Sequence, residues 1–263
     1  MCATCGCSPL SDPHQSHGSH GQHEPHEHPH DHRPGEEITL EQKILAKNDG
    51  LAQQNRAWLR DRGILAVNLM SSPGSGKTTL LERSGRDLAG RLPLSVIEGD
   101  QETALDADRI RDAGCQVVQI NTGAGCHLDA AMVGGALRAL YPPPNSVVII
   151  ENVGNLVCPA LFDLGEAARV VLASVTEGTD KPLKYPQMFR SADLVVVTKT
   201  DLGPYVDFDI SRFGAYIGQV SPQAMMIHLS ALDGTGLPLW YDWLSSRIPT
   251  AATAPMPRVS TPD

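Results

Sequence analysis

The sequence predicts an α/β fold in which a mostly parallel β-sheet is flanked by helices on both faces. Seven short, continuously apolar segments alternate with stretches of helical character, which is typical of parallel strands buried on both sides. A glycine-rich, lysine-containing loop follows the first of these segments and precedes a helical stretch. The 263 residues allow one such domain of ~200 residues with an extension at each end.

The chain divides into four predicted segments. Residues 1–7 hold three cysteines, and residues 8–35 are rich in Pro, Gly and His and too poor in apolar residues to fold, so a disordered linker is expected. Residues 36–248 form the predicted globular domain, and residues 249–263 form a flexible tail. The formal net charge of -9 argues against a nucleic-acid-binding surface. No apolar run reaches the length of a membrane span and the N-terminus does not resemble a secretory signal, so a cytoplasmic location is expected.

The regular elements follow from apolar spacing. Residues 37–62 are predicted to form a helix that Gly63 ends, because two sets of apolar residues recur at intervals of seven: Ile44, Leu51 and Trp58, and Leu45, Ala52 and Leu59. A second helix is predicted over residues 79–88. The predicted strands are residues 64–70, 94–97, 116–120, 147–150, 170–175, 194–197 and 226–229.

The loop at residues 71–78 has the pattern of a P-loop. Its glycines allow backbone N–H groups to approach phosphates, and the following helix N-terminus adds partial positive charge. Lys77 is expected to reach the β- and γ-phosphates, while the Thr78 hydroxyl binds Mg²⁺. Ser71 stands where the usual pattern has its first glycine. The predicted phosphate-binding residues are Gly74, Ser75, Gly76, Lys77, Thr78 and Thr79.

The segment 198–201, after a predicted strand, favours GTP over ATP. Its Thr-Lys-Thr-Asp pattern resembles the Asn-Lys-x-Asp motif of GTPases, in which the aspartate accepts two hydrogen bonds that guanine can donate and adenine cannot. Asp201 and Lys199 are therefore the predicted base-reading and ring-stacking residues, although Thr198 replaces the asparagine. Ser230 and Ala231 resemble a second guanine-contacting loop.

Two further acidic positions end predicted strands on the phosphate side. Asp100 lies in a Glu-Gly-Asp segment, and Glu151 opens Glu-Asn-Val-Gly, which has the form of a switch that senses the γ-phosphate through Gly154. A carboxylate at either place can hold Mg²⁺ or its water. The predicted catalytic residues are Lys77, Thr78, Asp100 and Glu151, with Thr78 and Asp100 as magnesium ligands. No residue is identified as the general base, so slow hydrolysis of GTP to GDP and phosphate is expected.

Three groups of residues have metal-binding character. Cys2, Cys5 and Cys7 offer three thiolates, which suit Ni(II) but also Zn(II) or Cu(I). Eight of the ten histidines lie between residues 14 and 32 and favour metal buffering. Cys126, His127 and Cys158 give too few ligands for a closed site within one chain, but two chains could complete it across a two-fold axis.

These motifs together resemble the HypB family of hydrogenase nickel-incorporation GTPases. GCHLDA (residues 125–130) and ENVGNLVCP (residues 151–159) are the most specific of them. The resemblance covers residues 38–245 and the N-terminal tip. Its other matching segments are residues 71–79, 98–100, 175–186 and 197–202.

The resemblance implies a P-loop GTPase of the SIMIBI type that dimerises with nucleotide or metal. It also implies a tight nickel site at Cys2, Cys5 and Cys7, and a second Ni²⁺ or Zn²⁺ site at Cys126, His127 and Cys158 near the dimer interface. The implied partners are the zinc-containing accessory protein HypA and the large subunit precursor of [NiFe]-hydrogenase, to which nickel would be delivered. Because the His-rich tract varies in this family, it indicates added nickel storage.

Three other functions remain open at this point. The chain could serve another nickel enzyme such as urease, although the cysteine-rich tip and the GCHLDA segment argue against this. It could be a nickel or zinc storage protein in which GTP hydrolysis matters little. It could also be a GTPase that delivers zinc.

Overall fold

A single parallel sheet dominates the part of the chain that the computed structural model describes, which is residues 34–100, 105–123 and 125–249. Within these ranges the sheet has seven strands in the order β3-β2-β4-β1-β5-β6-β7. Every pairing between neighbouring strands is parallel. The strands are β1 (Leu65–Ser71), β2 (Leu94–Asp100), β3 (Gln116–Asn121), β4 (Val147–Glu151), β5 (Ala168–Ser174), β6 (Leu194–Thr198) and β7 (Met225–His228).

Helices connect the strands in the same described ranges. The α-helices are α1 (Pro34–Asp61), α2 (Lys77–Leu88), α3 (Leu105–Asp112), α4 (Ala130–Leu140), α5 (Lys181–Lys184), α6 (Pro186–Arg190), α7 (Ile210–Val220) and α8 (Leu237–Ser246). Short 3₁₀ helices span Cys158–Leu161 and Thr200–Tyr205. Among the helices described, none has the combination of length and apolar character that crossing a bilayer requires.

All seven predicted strands are present, with shifts at their ends that have physical causes. The strand β2 continues through Glu98 and Gly99 to residue 100, because these residues pair with β3 and β4 although they are not apolar. The strand β5 begins at Ala168, where Ala168 and Arg169 pair with Val67 and Asn68 of β1. Because the charged Arg169 interrupts the apolar run, the sequence pattern did not indicate that this strand begins before Val170.

The two faces of the sheet carry separate hydrophobic clusters. On one face, alternate residues of β1 pack with α2 and α8 around the buried Trp240. On the other face, Ala66 belongs to a cluster formed with α4 and the end of α1, while Met70 belongs to a second cluster formed with α6 and α7. The predicted arrangement of a mostly parallel sheet flanked by helices is therefore confirmed.

The prediction of an apolar stripe on α1 is only partly right. Gly63 ends this helix as predicted, with a φ of 65° that favours glycine. However, the buried positions on the helix are Asn48, Ala52, Asn55 and Leu59, whereas Ile44 is exposed. Two of the four are asparagines that bond to backbone atoms, so hydrophobic periodicity alone could not identify this face.

Asn48 and Asn55 hold the N-terminus of α4 and the segment at residues 163–164. Asn48 Nδ2 donates to Asp163 O (2.8 Å), and its Oδ1 accepts from Ala130 N (2.9 Å). Asn55 Nδ2 donates to Ala130 O (2.8 Å) and to Leu164 O (3.1 Å). These bonds anchor two loops that come together at the site described below.

Replacing Asn55 by alanine should destabilise the protein by about 1–3 kcal/mol, because two buried carbonyl groups lose their donor. The measurement is the free energy of unfolding from urea titration. Gln54→Ala is the matched control, since Gln54 is exposed on the same helix, and it should change stability by less than about 0.5 kcal/mol. Equal effects of the two substitutions would contradict this account of α1.

Candidate nucleotide and metal site

The predicted P-loop lies between β1 and α2, as its chemistry requires. Gly74 and Gly76 have φ angles of 71° and 96°, which residues with a Cβ atom seldom adopt, so glycine is needed at both positions. Residues 73–79 line a cavity of about 500 Å³ together with the ends of β2 and β4. The backbone N–H groups at the start of α2 can bind the phosphates of a nucleotide in this cavity.

Ser71 keeps the lysine of the loop in position. This serine is buried at the end of β1, and Lys77 Nζ donates to its Oγ (2.9 Å). Ser75 Oγ bonds to the same oxygen (2.5 Å). A serine at the usual glycine position is therefore compatible with the P-loop conformation, and its hydroxyl adds a polar partner for Lys77.

Thr78 lies between two carboxylates on the floor of this cavity. Its Oγ1 lies 3.0 Å from Glu151 Oε1 and 3.1 Å from Asp106 Oδ2, and its single hydrogen is shared between these two acceptors. A hydroxyl and two carboxylates are the oxygen ligands that Mg²⁺ prefers, so this set fits the expected ion. Sequence analysis missed Asp106, which lies in the first turn of α3. The predicted ligand Asp100 is the last residue of β2, and its side chain lies outside the described residues.

Thr198 ties the base-recognition segment to the P-loop. Its Oγ1 donates to the carbonyl oxygen of Ser75 (2.7 Å), and the residue is buried. Lys199 follows in the left-handed conformation with a φ of 58°, which is uncommon for a residue other than glycine. Its Nζ donates to Gly74 O (2.7 Å), so the side chain lies across the loop. A hydroxyl thus forms the link to the loop despite the absence of the usual asparagine.

A second cavity, of about 370 Å³, adjoins the first and shares Gly76, Thr79 and Lys199 with it. Asp201, Ser230 and Ala231 also line this cavity, so the structure brings together with Lys199 the four residues that were predicted to contact the base. Ser230 Oγ accepts hydrogen bonds from the backbone of Leu232 and Asp233 and thereby shapes the turn. The two connected cavities can hold a base and its phosphates respectively.

The segment after β4 packs directly on the P-loop. A Cβ atom at Gly154 would lie only 3.0 Å from Pro73, so the two backbones approach as closely as glycine permits. Glu151 bonds to Thr78 at the start of the same segment. A change in the P-loop region can therefore be transmitted to residues 151–154 by direct contact.

Cys126, His127 and Cys158 lie together, as predicted. Their ligand atoms are all within 4.8 Å of one another, and Cys126 Sγ is 3.7 Å from His127 Nδ1. Burial lowers the pKa of His127, although Asp129 opposes this shift, and the neutral imidazole is the form that binds metal. Two thiols and an imidazole suit Ni(II) or Zn(II) and leave room for a fourth ligand.

Phe162 supports the imidazole of this cluster. The rings of His127 and Phe162 stack with centroids 4.0 Å apart and an interplanar angle of 21°. Phe162 follows the 3₁₀ helix Cys158–Leu161, so one short segment supplies both a thiol and this aromatic contact. Cys115, in contrast, lies in the hydrophobic core, where burial raises the pKa of its thiol to about 11.

Asn152 and Asn155 connect the loop of Cys126 and His127 to the segment after β4. Asn155 Nδ2 donates to Cys126 O (3.3 Å), and the Asn152 side chain accepts from Leu128 N (3.3 Å). Leu128 also packs on Gly99 of β2, where a Cβ atom would lie 2.8 Å from its side chain. Neither asparagine was predicted, because their partners are backbone atoms from a distant loop. The predicted ligands Cys2, Cys5 and Cys7 and the His-rich tract lie outside the described residues.

Comparison with known proteins agrees with this geometry. Residues 65–228 match the family described as CobW/HypB/UreG, nucleotide-binding domain. The chain is 55% identical over 207 residues to the hydrogenase maturation factor HypB of Rhizobium leguminosarum bv. viciae, a match covering 79% of this chain and 69% of the relative. It is 41% identical over 207 residues to the hydrogenase/urease maturation factor HypB of Helicobacter pylori, covering 76% of this chain and 84% of the relative.

The fold is also similar to a solved structure, the crystal structure of HypB from Helicobacter pylori in complex with nickel. The TM-score is 0.72 at 41% sequence identity, over 76% of this chain and 94% of that chain. This likeness and the all-parallel sheet confirm the predicted P-loop fold, with its mostly parallel sheet flanked by helices. The chain therefore belongs to the CobW/HypB/UreG family of nucleotide-binding domains and, within it, to the HypB hydrogenase maturation factors.

Proposed function

We propose that this chain hydrolyses GTP and uses the reaction to time the delivery of nickel to the large subunit precursor of a [NiFe]-hydrogenase. The observation that carries the proposal is that one segment, residues 151–158, contacts both sites. Glu151 bonds to Thr78 of the P-loop, and Cys158 belongs to the thiol–imidazole cluster. The two are seven residues apart, so a movement that begins at the nucleotide has a short route to a metal ligand.

The proposed hydrolysis depends on positioning and charge. Lys77 stabilises negative charge on the γ-phosphoryl group as it is transferred to water, and the backbone N–H groups of the P-loop bind the phosphates. Thr78 and Glu151, with Asp106 and Asp100, would hold Mg²⁺, which supplies further charge neutralisation when bound. Asp201 selects guanine, and Lys199 covers the base. Because no side chain is assigned as general base, turnover is slow.

Nickel is the proposed cargo of the Cys126–His127–Cys158 cluster. Two thiolates and a neutral imidazole support binding of Ni(II), and the same donor set also accepts Zn(II). A second copy of the chain completes the site in a nucleotide- or metal-promoted homodimer. Cys2, Cys5 and Cys7 form a tight nickel site, the His-rich tract stores nickel, and HypA takes part in the transfer to the precursor.

A second candidate function is service to urease as well. The relative from Helicobacter pylori is named a hydrogenase/urease maturation factor, and it is 41% identical to this chain. The same site would serve both, because the donor set binds nickel irrespective of the recipient. Storage of nickel or zinc without delivery, and delivery of zinc, are the remaining alternatives.

Asp201→Asn should weaken GTP and GDP binding by roughly 10- to 100-fold and strengthen binding of xanthosine nucleotides. Hydrogen bonds to a charged group contribute about 1.5–3 kcal/mol, and an asparagine amide can donate to the extra carbonyl group of xanthine. Fluorescence titration with labelled nucleotides measures both effects. The matched control is Asp207→Asn, at an exposed aspartate that should leave both affinities unchanged. Unaltered guanine affinity in Asp201→Asn would show that the second cavity does not hold the base.

Cys158→Ala should weaken Ni(II) binding at the cluster by at least about 100-fold, since even a residue that only orients a ligand contributes about 10- to 100-fold. The assay uses full-length chain in which Cys2, Cys5 and Cys7 are serine and the eight N-terminal histidines are glutamine, so that Ni(II)–thiolate absorption reports only this cluster. GTP affinity should not change. Cys115→Ala removes a buried thiol outside the cluster and is the control. Nickel affinity equal to that of the parent with both GDP and GTP would refute the proposed coupling.

A Lys77→Ala strain should lose hydrogenase activity and regain part of it in excess nickel, because hydrolysis fails while the metal ligands remain. Deletion of residues 8–33 should matter only when nickel is scarce. Hydrogenase activity in the two strains over a nickel series measures this. Loss of hydrogenase activity only in the deletion strain would favour storage. A separate metal analysis of protein purified without a chelating resin would identify a zinc-delivering function.

A further inference from the structure

A hydrogen-bonded series of polar side chains runs from the segment after β4 to the thiol–imidazole cluster, and its members have no role in the chemistry described so far. It consists of Asn152, Asn68 and Glu166, which are buried, and Arg169, which is partly exposed. Asn68 lies in the middle of the central strand β1 and is completely buried, between Ala66 of one hydrophobic cluster and Met70 of the other. A buried polar side chain in such a place is costly unless it is fully hydrogen-bonded.

The first half of this hydrogen-bonded series begins in the segment after β4, residues 151–154. Asn152 follows Glu151 directly, and its Nδ2 donates to Asn68 Oδ1 (3.2 Å). Asn68 Nδ2 in turn donates to Glu166 Oε1 (3.4 Å). Asn68 is therefore the only described side chain that bonds both to the switch residue Asn152 and to Glu166.

The second half of this hydrogen-bonded series ends at the backbone next to the thiol–imidazole cluster. Arg169 Nε donates to Glu166 Oε1 (2.6 Å), and Glu166 Oε2 accepts from Leu164 N (2.7 Å). The two terminal nitrogens of Arg169 donate to Ala160 O and to Phe162 O, both at 3.2 Å. Arg169 thus fixes the backbone immediately after Cys158 and beneath the ring that stacks on His127.

Asn152 also contacts the opposite half of the cluster, because its Oδ1 accepts from Leu128 N next to His127. Asn152 is thus linked to His127 by two routes. One runs through the backbone of Leu128, the residue after His127, and the other runs through Phe162. A displacement of Asn152 would change both supports of the imidazole together. Two links from one residue to both supports of His127 would allow Asn152 to position the imidazole. Polar side chains that only stabilise the core do not require such links.

We infer that Asn68, Glu166 and Arg169 form a positioning relay that transmits the nucleotide state from Asn152 to Phe162 and so sets the orientation of His127 towards the metal. The inference rests on the proposed nucleotide-gated binding of nickel and names residues that perform the gating. None of the three belongs to the thiol–imidazole cluster or lines the two cavities; they act through Asn152 and Phe162. Residues that orient a histidine ligand change metal affinity by about 10- to 100-fold.

The test measures Ni(II) affinity at the cluster with GDP and with a non-hydrolysable GTP analogue, in the full-length background that lacks the N-terminal cysteines and histidines. In that background the two affinities should differ by roughly 5- to 150-fold, the usual range of coupling between sites. Asn68→Ala should bring the ratio of the two affinities close to one while Ni(II) and GTP still bind. The absorption of Co(II) bound at the cluster should also lose its dependence on nucleotide.

Two variants make the result interpretable. Arg169→Lys keeps a cation beside Glu166 but carries all its donors on one nitrogen, so it cannot replace the three nitrogens with which Arg169 bonds to Glu166, Ala160 and Phe162. It should therefore also reduce the ratio, and it carries the test if Asn68→Ala does not fold. Ser95→Ala removes another buried polar side chain of the same sheet, which bonds to Gln116 instead of to the relay, and should leave the ratio intact.

The possible failures are distinguishable. A ratio of one in the background protein itself would refute the proposed nucleotide gating, and the relay with it. A clear ratio in the background that persists in folded Asn68→Ala and Arg169→Lys would refute the relay alone. A ratio that falls in Ser95→Ala as much as in the relay variants would reduce the effect to general destabilisation of the sheet and would also overturn the inference.

Discussion

The pairing of β1 with β4 is the constraint on which the rest of this site depends. The register places Leu69 beside Glu151, so the P-loop and the segment after β4 leave the sheet as neighbours at the same edge. From that starting point Thr78 can reach Glu151, and Gly154 can pack on Pro73. A shift of this pairing by one residue would turn Glu151 to the other face of the sheet and separate the two loops.

A consequence of this geometry is that the phosphate cavity and the thiol–imidazole cluster share their support. Gly99 at the end of β2 packs on Leu128, which follows His127, and Asn155 bonds to the backbone of Cys126. The thiol–imidazole cluster is therefore assembled from two loops that both rest on the same edge of the sheet as the P-loop. Packing this close transmits displacements, because a well-packed interior has little free volume to absorb them.

Sequence patterns were sufficient to predict the fold and the short motifs that the structure brings together at one edge of the sheet, because both leave local patterns. The buried strands are continuous apolar runs, and the P-loop, Asp201, Cys126, His127 and Cys158 lie in short motifs. Such patterns were insufficient where a residue acts through a partner far away in the chain. Asn55, Asp106 and Arg169 take their roles from atoms that folding brings to them, and no spacing in the sequence indicates those atoms.

The contact between Thr198 and the P-loop has a consequence for how this motif tolerates change. The task of the residue at this position is to donate one hydrogen bond to the carbonyl oxygen of Ser75, and a threonine hydroxyl does so at 2.7 Å. The residue proposed to select the base, Asp201, lies three positions later, so the two tasks can vary independently during evolution. Homologues with serine or threonine here would retain the same architecture, and a search that demands asparagine at this position would overlook them.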